Sequence, residues 1–126
     1  MTRRDTPQQR AVREALERAG RPLSILEIHS LARDEVPAIG VRTVYRVVGR
    51  LLDDGVISPV PIPGDADRYE MAAVAATHHH HFRCESCERV FDVSGCAGRL
   101  ERLLPEGFTL AGHELVLWGE CAACSG

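Results

Sequence analysis

Apolar residues recur at helical spacing in three stretches of the first half of the chain. The first two stretches begin at a hydroxyl residue, Thr6 or Ser24, followed three residues later by Gln or Glu, which is the capping-box signature of a helix start. In the third stretch Val44 is followed by apolar residues at i+3, i+4, i+7 and i+8, an almost ideal amphipathic stripe. The pattern therefore predicts three short helices, which are bounded by Thr6 and Gly20, by Ser24 and Val36, and by Gly40 and Gly55.

Beyond the third helix the pattern becomes extended. Residues 56–62 and 68–71 flank a Pro-Gly-Asp turn, which is a hairpin signal, and the prolines of the first segment suit an edge strand. Three helices followed by a hairpin are typical of a winged helix-turn-helix, whose third helix enters the major groove of DNA. In the major groove, arginine can bind phosphate or guanine, and an aromatic ring can contact the thymine methyl group. A solvated helix face is the plainer explanation of the same residues. The polar face of this helix carries Arg42, Thr43, Tyr45, Arg46 and Arg50.

The composition is that of an ordinary globular protein. Of 126 residues, 44% are hydrophobic and 26% are charged, and the formal net charge is −3. No apolar run approaches the roughly 20 residues of a membrane-spanning helix, and no apolar segment follows the N-terminal arginines, so we expect a cytoplasmic protein without a membrane partner. The first 71 residues hold 11 arginines and 11 acidic residues, and the rest are net negative. Binding to nucleic acid would therefore require a local basic patch.

Five cysteines are the strongest chemical signal in the chain. Four of them form two Cys-x-x-Cys pairs, Cys84 with Cys87 and Cys121 with Cys124. In a reducing cytosol such pairs indicate metal rather than disulfide, and two of them suit a closed four-sulfur zinc site. Two unrelated buried thiol pairs are the plainer alternative, while a thioredoxin-like redox site would need a βαβ context that is missing here.

A run of four histidines, His78–His81, lies just before the first of these pairs. As a strand it sends alternate side chains to opposite faces, so one strand could serve two separate metal sites. Each further candidate also has an ordinary explanation as a surface charge or a small buried side chain. These candidates are Glu70 at the end of the hairpin, Asp92 in a predicted strand, the odd cysteine Cys96, and His113 in the alternating stretch 108–118.

Together these features resemble the ferric uptake regulator family of metal-responsive transcription factors, over nearly the whole chain. The resemblance implies an α/β (α+β) fold, with a winged-helix DNA-binding domain at 1–71, a hinge at 72–77, and a small dimerisation and metal-binding domain at 78–126. Family members form homodimers, bind A/T-rich inverted repeats and usually repress transcription when loaded with metal. The motifs that carry the resemblance are Thr6-Pro7-Gln8-Gln9-Arg10, Gly40-Val41-Arg42-Thr43-Val44-Tyr45-Arg46, Arg68-Tyr69-Glu70, the histidine run with both cysteine pairs, and Gly112-His113.

The resemblance also implies roles for individual residues. The structural zinc ligands are Cys84, Cys87, Cys121 and Cys124. The ligands of a regulatory site between the two domains are Glu70, His79, His81 and Asp92. The ligands of an accessory site are His78, His80 and His113, with Cys96 where other members place a glutamate. The DNA contacts include Tyr45 and Arg46 of the recognition helix, and Arg3 or Arg4 in an N-terminal basic contact.

Two positions depart from the family pattern and bear on the sensed metal. Pro22 stands where iron-type members carry a histidine ligand, with His29 as a candidate substitute, and Ala72 stands where several zinc-type members carry a cysteine. A site of histidine and carboxylate suits zinc, iron and manganese alike, whereas a thiolate at Cys96 favours zinc. We therefore expect a structural Zn²⁺ and a zinc-responsive regulator, with iron-, manganese- or peroxide-responsive members of the family as the alternatives.

Two other classes of function compete with a regulator. A zinc enzyme needs an open coordination position and a general base, and the chain lacks both His-Glu-x-x-His and the zinc-deaminase pattern. A zinc-ribbon adaptor that binds protein or RNA without operator DNA would explain the four paired cysteines. It would explain neither the histidine run nor the basic stretch Arg42–Arg46. We therefore expect a regulator and not an enzyme.

Overall fold

The computed structural model describes residues 5–125, and the chain divides into two units between Thr77 and His78. The N-terminal contact predicted for Arg3 or Arg4 lies outside the described residues. The first unit contains α1 (Pro7–Ala19), α2 (Ile25–Ala32), α3 (Val41–Asp53), β1 (Ile57–Val60), β2 (Arg68–Met71) and α4 (Ala72–Ala75). The second contains β3 (His79–Cys84), β4 (Val90–Ser94), a 3₁₀ helix (Leu100–Leu103), β5 (Val116–Gly119) and α5 (Ala122–Ser125). The predicted α+β fold class is confirmed.

Local capping fixes where the first two helices begin. Thr6 Oγ1 accepts a hydrogen bond from the Gln9 backbone N–H at 3.1 Å, and Gln9 Oε1 accepts one from the Thr6 N–H at 3.4 Å. Ser24 and Glu27 form the same reciprocal pair at the start of α2, at 3.2 and 3.1 Å. Both capping boxes satisfy backbone amides that a helix start otherwise leaves unpaired.

The three longest helices pack around one apolar core. As the spacing predicts, the buried stripe of α3 consists of Val44, Val47, Val48 and Leu51. The core also contains Val12 and Leu16 of α1, Ile28 of α2 and Ile57 of β1. Because the apolar stripe occupies one side of α3, the opposite side of the helix is left for solvent or a ligand.

The second helix is shorter than the sequence predicts. It ends at Ala32 and not at Val36, although the Val36 N–H still donates to the Ala32 carbonyl at 2.9 Å. The chain then turns to reach Ile39, whose carbonyl oxygen lies 3.0 Å from His29 Nε2. The side chain of His29 thus contacts the loop before α3. After Ala32 the backbone N–H groups of Asp34 and Glu35 donate to carbonyls three residues back rather than four, so the α-helix gives way to a tighter turn before the proline signal.

The hairpin accommodates its prolines at a position that needs no hydrogen bond. Pro59 lies opposite Tyr69 in the antiparallel pair of β1 and β2. Tyr69 directs its backbone N–H and C=O to Leu23, at 2.9 Å each, and not to β1. The missing N–H of Pro59 therefore interrupts no ladder bond, while β1 ends just before Pro61.

A buried arginine ties the turn of the hairpin to the start of α2. The Arg68 guanidinium donates to Asp65 Oδ2 and to the Ala66 carbonyl, both at 3.1 Å, and lies 3.9 Å from Glu27 Oε1. Arg21 pairs with the same glutamate at 2.7 Å. Burial acts to raise the pKa of Glu27, but hydrogen bonds led by that of Arg21 hold it below its usual value. The ionised Glu27 therefore contributes to the stability of the fold at pH values above the usual glutamate pKa. This contribution is lost as the pH falls through the lowered pKa of Glu27.

The second unit is a three-stranded sheet of order β4-β3-β5, antiparallel between β3 and β4 and parallel between β3 and β5. Its apolar core is small, since Cys84 and Val90 are the buried apolar residues among residues 78–125. Of the alternating stretch 108–118, only the residues from Val116 onward form a strand. The preceding residues are irregular, and His113 among them lies beside Cys96. Throughout residues 5–125, each helix is too short or too polar to cross a membrane.

Candidate metal centres and nucleic-acid interface

The four paired cysteines converge at one end of the sheet of the second unit. Cys84 ends β3 and Cys87 lies in the turn toward β4, while Cys121 follows β5 and Cys124 lies in α5. Their Sγ atoms all lie within 4.8 Å of one another, and those of Cys87 and Cys121 are 3.8 Å apart. A tetrahedral zinc ion with Zn–S bonds of about 2.3 Å needs sulfur atoms about 3.8 Å apart. The donor set and its spacing therefore fit a structural zinc ion and argue against two unrelated thiol pairs.

Backbone amides favour the thiolate form of Cys84. Its Sγ accepts hydrogen bonds from the backbone N–H groups of Cys87 at 3.5 Å and Cys121 at 3.4 Å. These bonds outweigh burial and lower the pKa of Cys84 to about 6. Hydrogen bonds led by that with Cys121 raise the pKa of Cys124 to about 12. Cys84 therefore ionises more readily than Cys124, and ionisation of Cys124 needs the positive charge of a bound metal.

Three donors converge at a second point, on one face of β3. His79 and His81 project to the same side, with ring centroids 4.8 Å apart. Asp92 lies opposite His81 in β4, and its Oδ1 is 3.4 Å from His79 Nε2 and 3.3 Å from His81 Nε2. Tetrahedral bonds of about 2.0–2.1 Å place such donor atoms about 3.3 Å apart. These residues fit three ligands of a zinc-sized ion, which in tetrahedral geometry takes a fourth.

A thiol and three imidazoles gather on the opposite face of the same strand. Cys96 Sγ lies 3.4 Å from His80 Nε2 and 3.0 Å from His113 Nε2. The ring of His78 lies 4.8 Å from that of His80 and 5.2 Å from that of His113, between centroids. Desolvation, followed by the neighbouring imidazoles, lowers the pKa of His80 and so favours its neutral, metal-binding form. This cluster fits a metal that accepts both nitrogen and sulfur ligands.

Two candidate ligands from the sequence lie in the first unit. Glu70 is in β2, opposite Ser58, and its role as a regulatory ligand stays a prediction. The hypothesis that His29 replaces the ligand absent at Pro22 is not supported, because its Nε2 contacts the carbonyl oxygen of Ile39. Among residues 5–125, His29 belongs to none of the metal-ligand clusters.

The predicted DNA-contacting residues lie on the solvent side of α3. Arg42, Tyr45, Arg46 and Arg50 are exposed and Thr43 is half-buried. Tyr45 is 61% exposed, so its ring is open to contact with a ligand. No acidic residue lies in the first turn of α3. This face therefore combines arginines and an aromatic ring, the residue types that contact phosphates and bases.

A three-helix unit with a hairpin wing, joined to a sheet that gathers metal ligands, defines a class of metal-responsive DNA-binding proteins. Residues 2–118 match the model of the ferric uptake regulator family. The chain is 30% identical over 126 residues to the ferric uptake regulation protein of Bacillus subtilis, a match that covers 96% of this chain and 85% of that protein. This chain belongs to the ferric uptake regulator family of metal-responsive transcriptional regulators.

Solved structures of the family match both units. A zinc-bound manganese uptake regulator superposes with a TM-score of 0.79 and 27% identity, covering 94% of this chain and 91% of that one. The ferric uptake regulator of Helicobacter pylori, with three functional metal-binding sites, gives a TM-score of 0.69 and 25% identity, covering 98% and 83%. A zinc uptake regulator complexed with zinc and DNA superposes with a TM-score of 0.57 and 25% identity, covering 97% of this chain and 83% of that one. Membership in this family favours the regulator over the zinc-ribbon adaptor.

Proposed function

We propose that this protein is a zinc-responsive repressor of metal-homeostasis genes that binds an A/T-rich inverted repeat as a homodimer. The observation that carries the proposal is the convergence of His79, His81 and Asp92 at tetrahedral distances, separate from the four-cysteine centre. The cysteine centre is closed by four thiolates and serves the fold. The histidine and carboxylate site supplies three ligands and serves the response, because an incomplete site can bind and release metal more readily.

The ligand chemistry favours zinc as the sensed metal. Thiolate and imidazole ligands suit zinc, whereas manganese and magnesium prefer carboxylate, carbonyl and water oxygens. The accessory cluster carries one thiol and three imidazoles, and the regulatory cluster carries two imidazoles. A zinc uptake regulator complexed with zinc and DNA is among the similar solved structures. Zinc is therefore our choice for the regulatory metal, ahead of iron and manganese.

The proposed switch is a metal-dependent link between the two units. Glu70 of the first unit is the proposed fourth ligand, beside His79, His81 and Asp92 of the second. The linking segment 72–77, our proposed hinge, contains the one-turn helix α4. Without metal, the DNA-binding units of a dimer would adopt many spacings, few of which match half-sites one helical turn apart. Metal would act by favouring the arrangement that fits the operator.

Exposed apolar side chains in the second unit support the proposed homodimer. Contiguous patches of exposed apolar side chains usually mark a contact with another protein. A second copy of this chain is the partner that an inverted-repeat operator requires, since a two-fold site matches a two-fold protein. The exposed residues are Leu103 at 80%, Phe108 at 66%, Leu117 at 50% and Trp118 at 70%.

Selection from a random pool of DNA duplexes tests the proposed function. With buffered free zinc, we expect the protein to enrich A/T-rich inverted repeats, and with a chelator of the regulatory metal we expect no enrichment. Parallel selections with Mn²⁺ and with Fe²⁺ under anaerobic conditions test the sensed metal. Enrichment with one of these metals but not with zinc would overturn the zinc assignment. No enrichment with any metal would overturn DNA binding itself.

Two substitutions in α3 separate general affinity from sequence discrimination. Arg50→Ala should weaken binding to all sequences about equally and reduce the slope of log K against log salt by about 1, because a phosphate contact carries no sequence information. Tyr45→Ala should instead reduce discrimination at one base pair by about 1–3 kcal/mol. Both effects are measured by fluorescence anisotropy on the selected repeat and on single-base variants of it. If neither variant changes operator affinity, α3 is not the recognition helix.

A further inference from the structure

The first turn of α1 and the polar side of α3 together form a surface cavity of about 380 Å³. Arg46 and Arg50 lie one helical turn apart on α3 and contribute two guanidinium groups to it. Six of the described residues line it, and none of these is acidic. They are Thr6, Gln8, Gln9, Arg46, Val47 and Arg50.

Within this cavity, Gln8 has hydrogen-bonding groups that are not used by the part of the fold that the structure describes. The capping box consumes the side chains of Thr6 and Gln9, and the Arg10 N–H donates to the Thr6 carbonyl at 2.9 Å. Pro7 has no N–H. The backbone N–H and the side-chain amide of Gln8 have no hydrogen-bond partner among residues 5–125. Gln8 is half-buried, so these donors are held close to the arginines.

The acidic residue nearest in sequence is already neutralised. Asp5 accepts two hydrogen bonds from Arg13 at 3.2 Å each and lies 3.6 Å from Arg10 Nε. The first turn of α1 contains no acidic residue of its own. The cavity is therefore lined by positive charge and amide donors, which is the chemistry that binds a phosphate oxygen.

We infer that Gln8 contacts a phosphate of the DNA backbone, so that α1 forms part of the DNA-binding surface together with α3. The inference rests on the proposed function, because it takes α3 to be the recognition helix. Tyr45 and Arg42 are exposed on α3, while Arg46 and Arg50 line the cavity beside α1. When Tyr45 lies in the major groove, the cavity lies against the DNA backbone at the edge of that groove.

Gln8→Glu tests the inference because it moves stability and DNA binding in opposite directions. A carboxylate in the first turn of α1 favours the helix through its dipole, so thermal unfolding should shift upward by roughly 1–4 °C. The same carboxylate repels a phosphate, so operator affinity should fall about tenfold, and the salt slope should fall by about 1. A residue with only a structural role would not lower affinity in a more stable protein.

Arg18→Gln is the matched control, because it changes the net charge by the same −1 on the same helix. It lies ten residues from Gln8, about 15 Å along the axis, which exceeds the Debye length of about 8 Å at physiological salt. We expect its operator affinity to stay within about twofold of the unaltered protein. If Gln8→Glu loses no more affinity than Arg18→Gln, Gln8 does not contact DNA.

Operator duplexes with one neutral methylphosphonate locate the contact. At one phosphate in each half-site, neutralisation should remove the difference between the unaltered protein and Gln8→Glu. A penalty that persists at every position would also overturn the inference. If Arg50→Ala and Tyr45→Ala lose affinity while Gln8→Glu does not, this inference fails and the proposed function stands. If the unaltered protein binds no DNA, the proposed function fails.

Discussion

Cys84→Ser is expected to abolish the fold of the second unit together with one zinc ion per chain. Cys84 is the buried member of the four-cysteine cluster, and its sulfur accepts the backbone N–H groups of two other members, Cys87 and Cys121. A serine hydroxyl would neither ionise at neutral pH nor supply the soft donor that zinc prefers. We expect insoluble or monomeric protein, measured by size-exclusion chromatography, zinc content and thermal unfolding.

The size of this effect follows from how little else stabilises the second unit. Domains of this length bury a small share of their surface, and here the buried apolar side chains among residues 78–125 are Cys84 and Val90. Structural zinc contributes on the order of 10 kcal/mol to folding in small zinc modules. That is comparable with the whole stability of a typical domain, about 5–15 kcal/mol. Loss of the ion therefore removes the main stabilising contribution.

Cys96→Ser is the matched control for this prediction. It makes the same chemical change at an exposed cysteine outside the four-sulfur cluster. We expect this variant to keep the structural zinc, its dimeric state and nearly the same unfolding temperature. A Cys84→Ser protein that is soluble, dimeric and as stable as Cys96→Ser would show that the four cysteines do not hold a structural zinc ion.

Sequence periodicity anticipated the elements whose stability is local. The stripe of α3 and the capping boxes at Thr6 and Ser24 lie within a few residues of the groups they contact, so spacing alone reveals them. The two faces of the histidine run could be predicted in the same way, because alternate side chains of a strand point to opposite sides. His79 and His81 therefore share one face, and His78 and His80 share the other. The spacing of the cysteines also predicts the four-sulfur site, because two Cys-x-x-Cys pairs in one short chain are typical of structural zinc.

Features that depend on tertiary contacts could not be derived from spacing. The α2 helix ends at Ala32, where its backbone switches to a tighter turn, and His29 contacts the Ile39 carbonyl ten residues away, and no local pattern encodes either feature. Likewise, the cavity beside Gln8 exists because α1 and α3 pack at one place, and a lone glutamine in a first helical turn carries no signal by itself. Tertiary packing decides such features over local propensity.

His81→Ala is expected to abolish metal-dependent DNA binding while leaving the fold intact. His81 Nε2 lies 3.3 Å from Asp92 Oδ1, on the side of β3 that carries His79. Its removal leaves two donors in the second unit, too few to hold a metal tightly. The four-cysteine centre, which uses none of these residues, should keep its zinc. We expect the variant to remain dimeric and to bind the operator no better with zinc than with a chelator.

His78→Ala is the matched control, because the same imidazole is lost from another position of the histidine run, whose side chain faces the other cluster. The measurement is operator affinity against buffered free zinc for His81→Ala, His78→Ala and Cys96→Ser. We expect the two control variants to keep most of the response, because their cluster is accessory in the proposed function. All three should show the same content of structural zinc.

Reciprocal coupling makes the test of the switch quantitative. If zinc raises operator affinity a hundredfold, the coupling free energy is about 2.7 kcal/mol, and the operator must tighten zinc binding by the same factor. That reciprocal gain should be present in His78→Ala and absent in His81→Ala. If His81→Ala keeps the full response while His78→Ala and Cys96→Ser lose it, the two clusters exchange roles. Metal sensing would then reside in the thiol and imidazole cluster, and Glu70 would have no part in the switch, because that cluster draws all its ligands from the second unit.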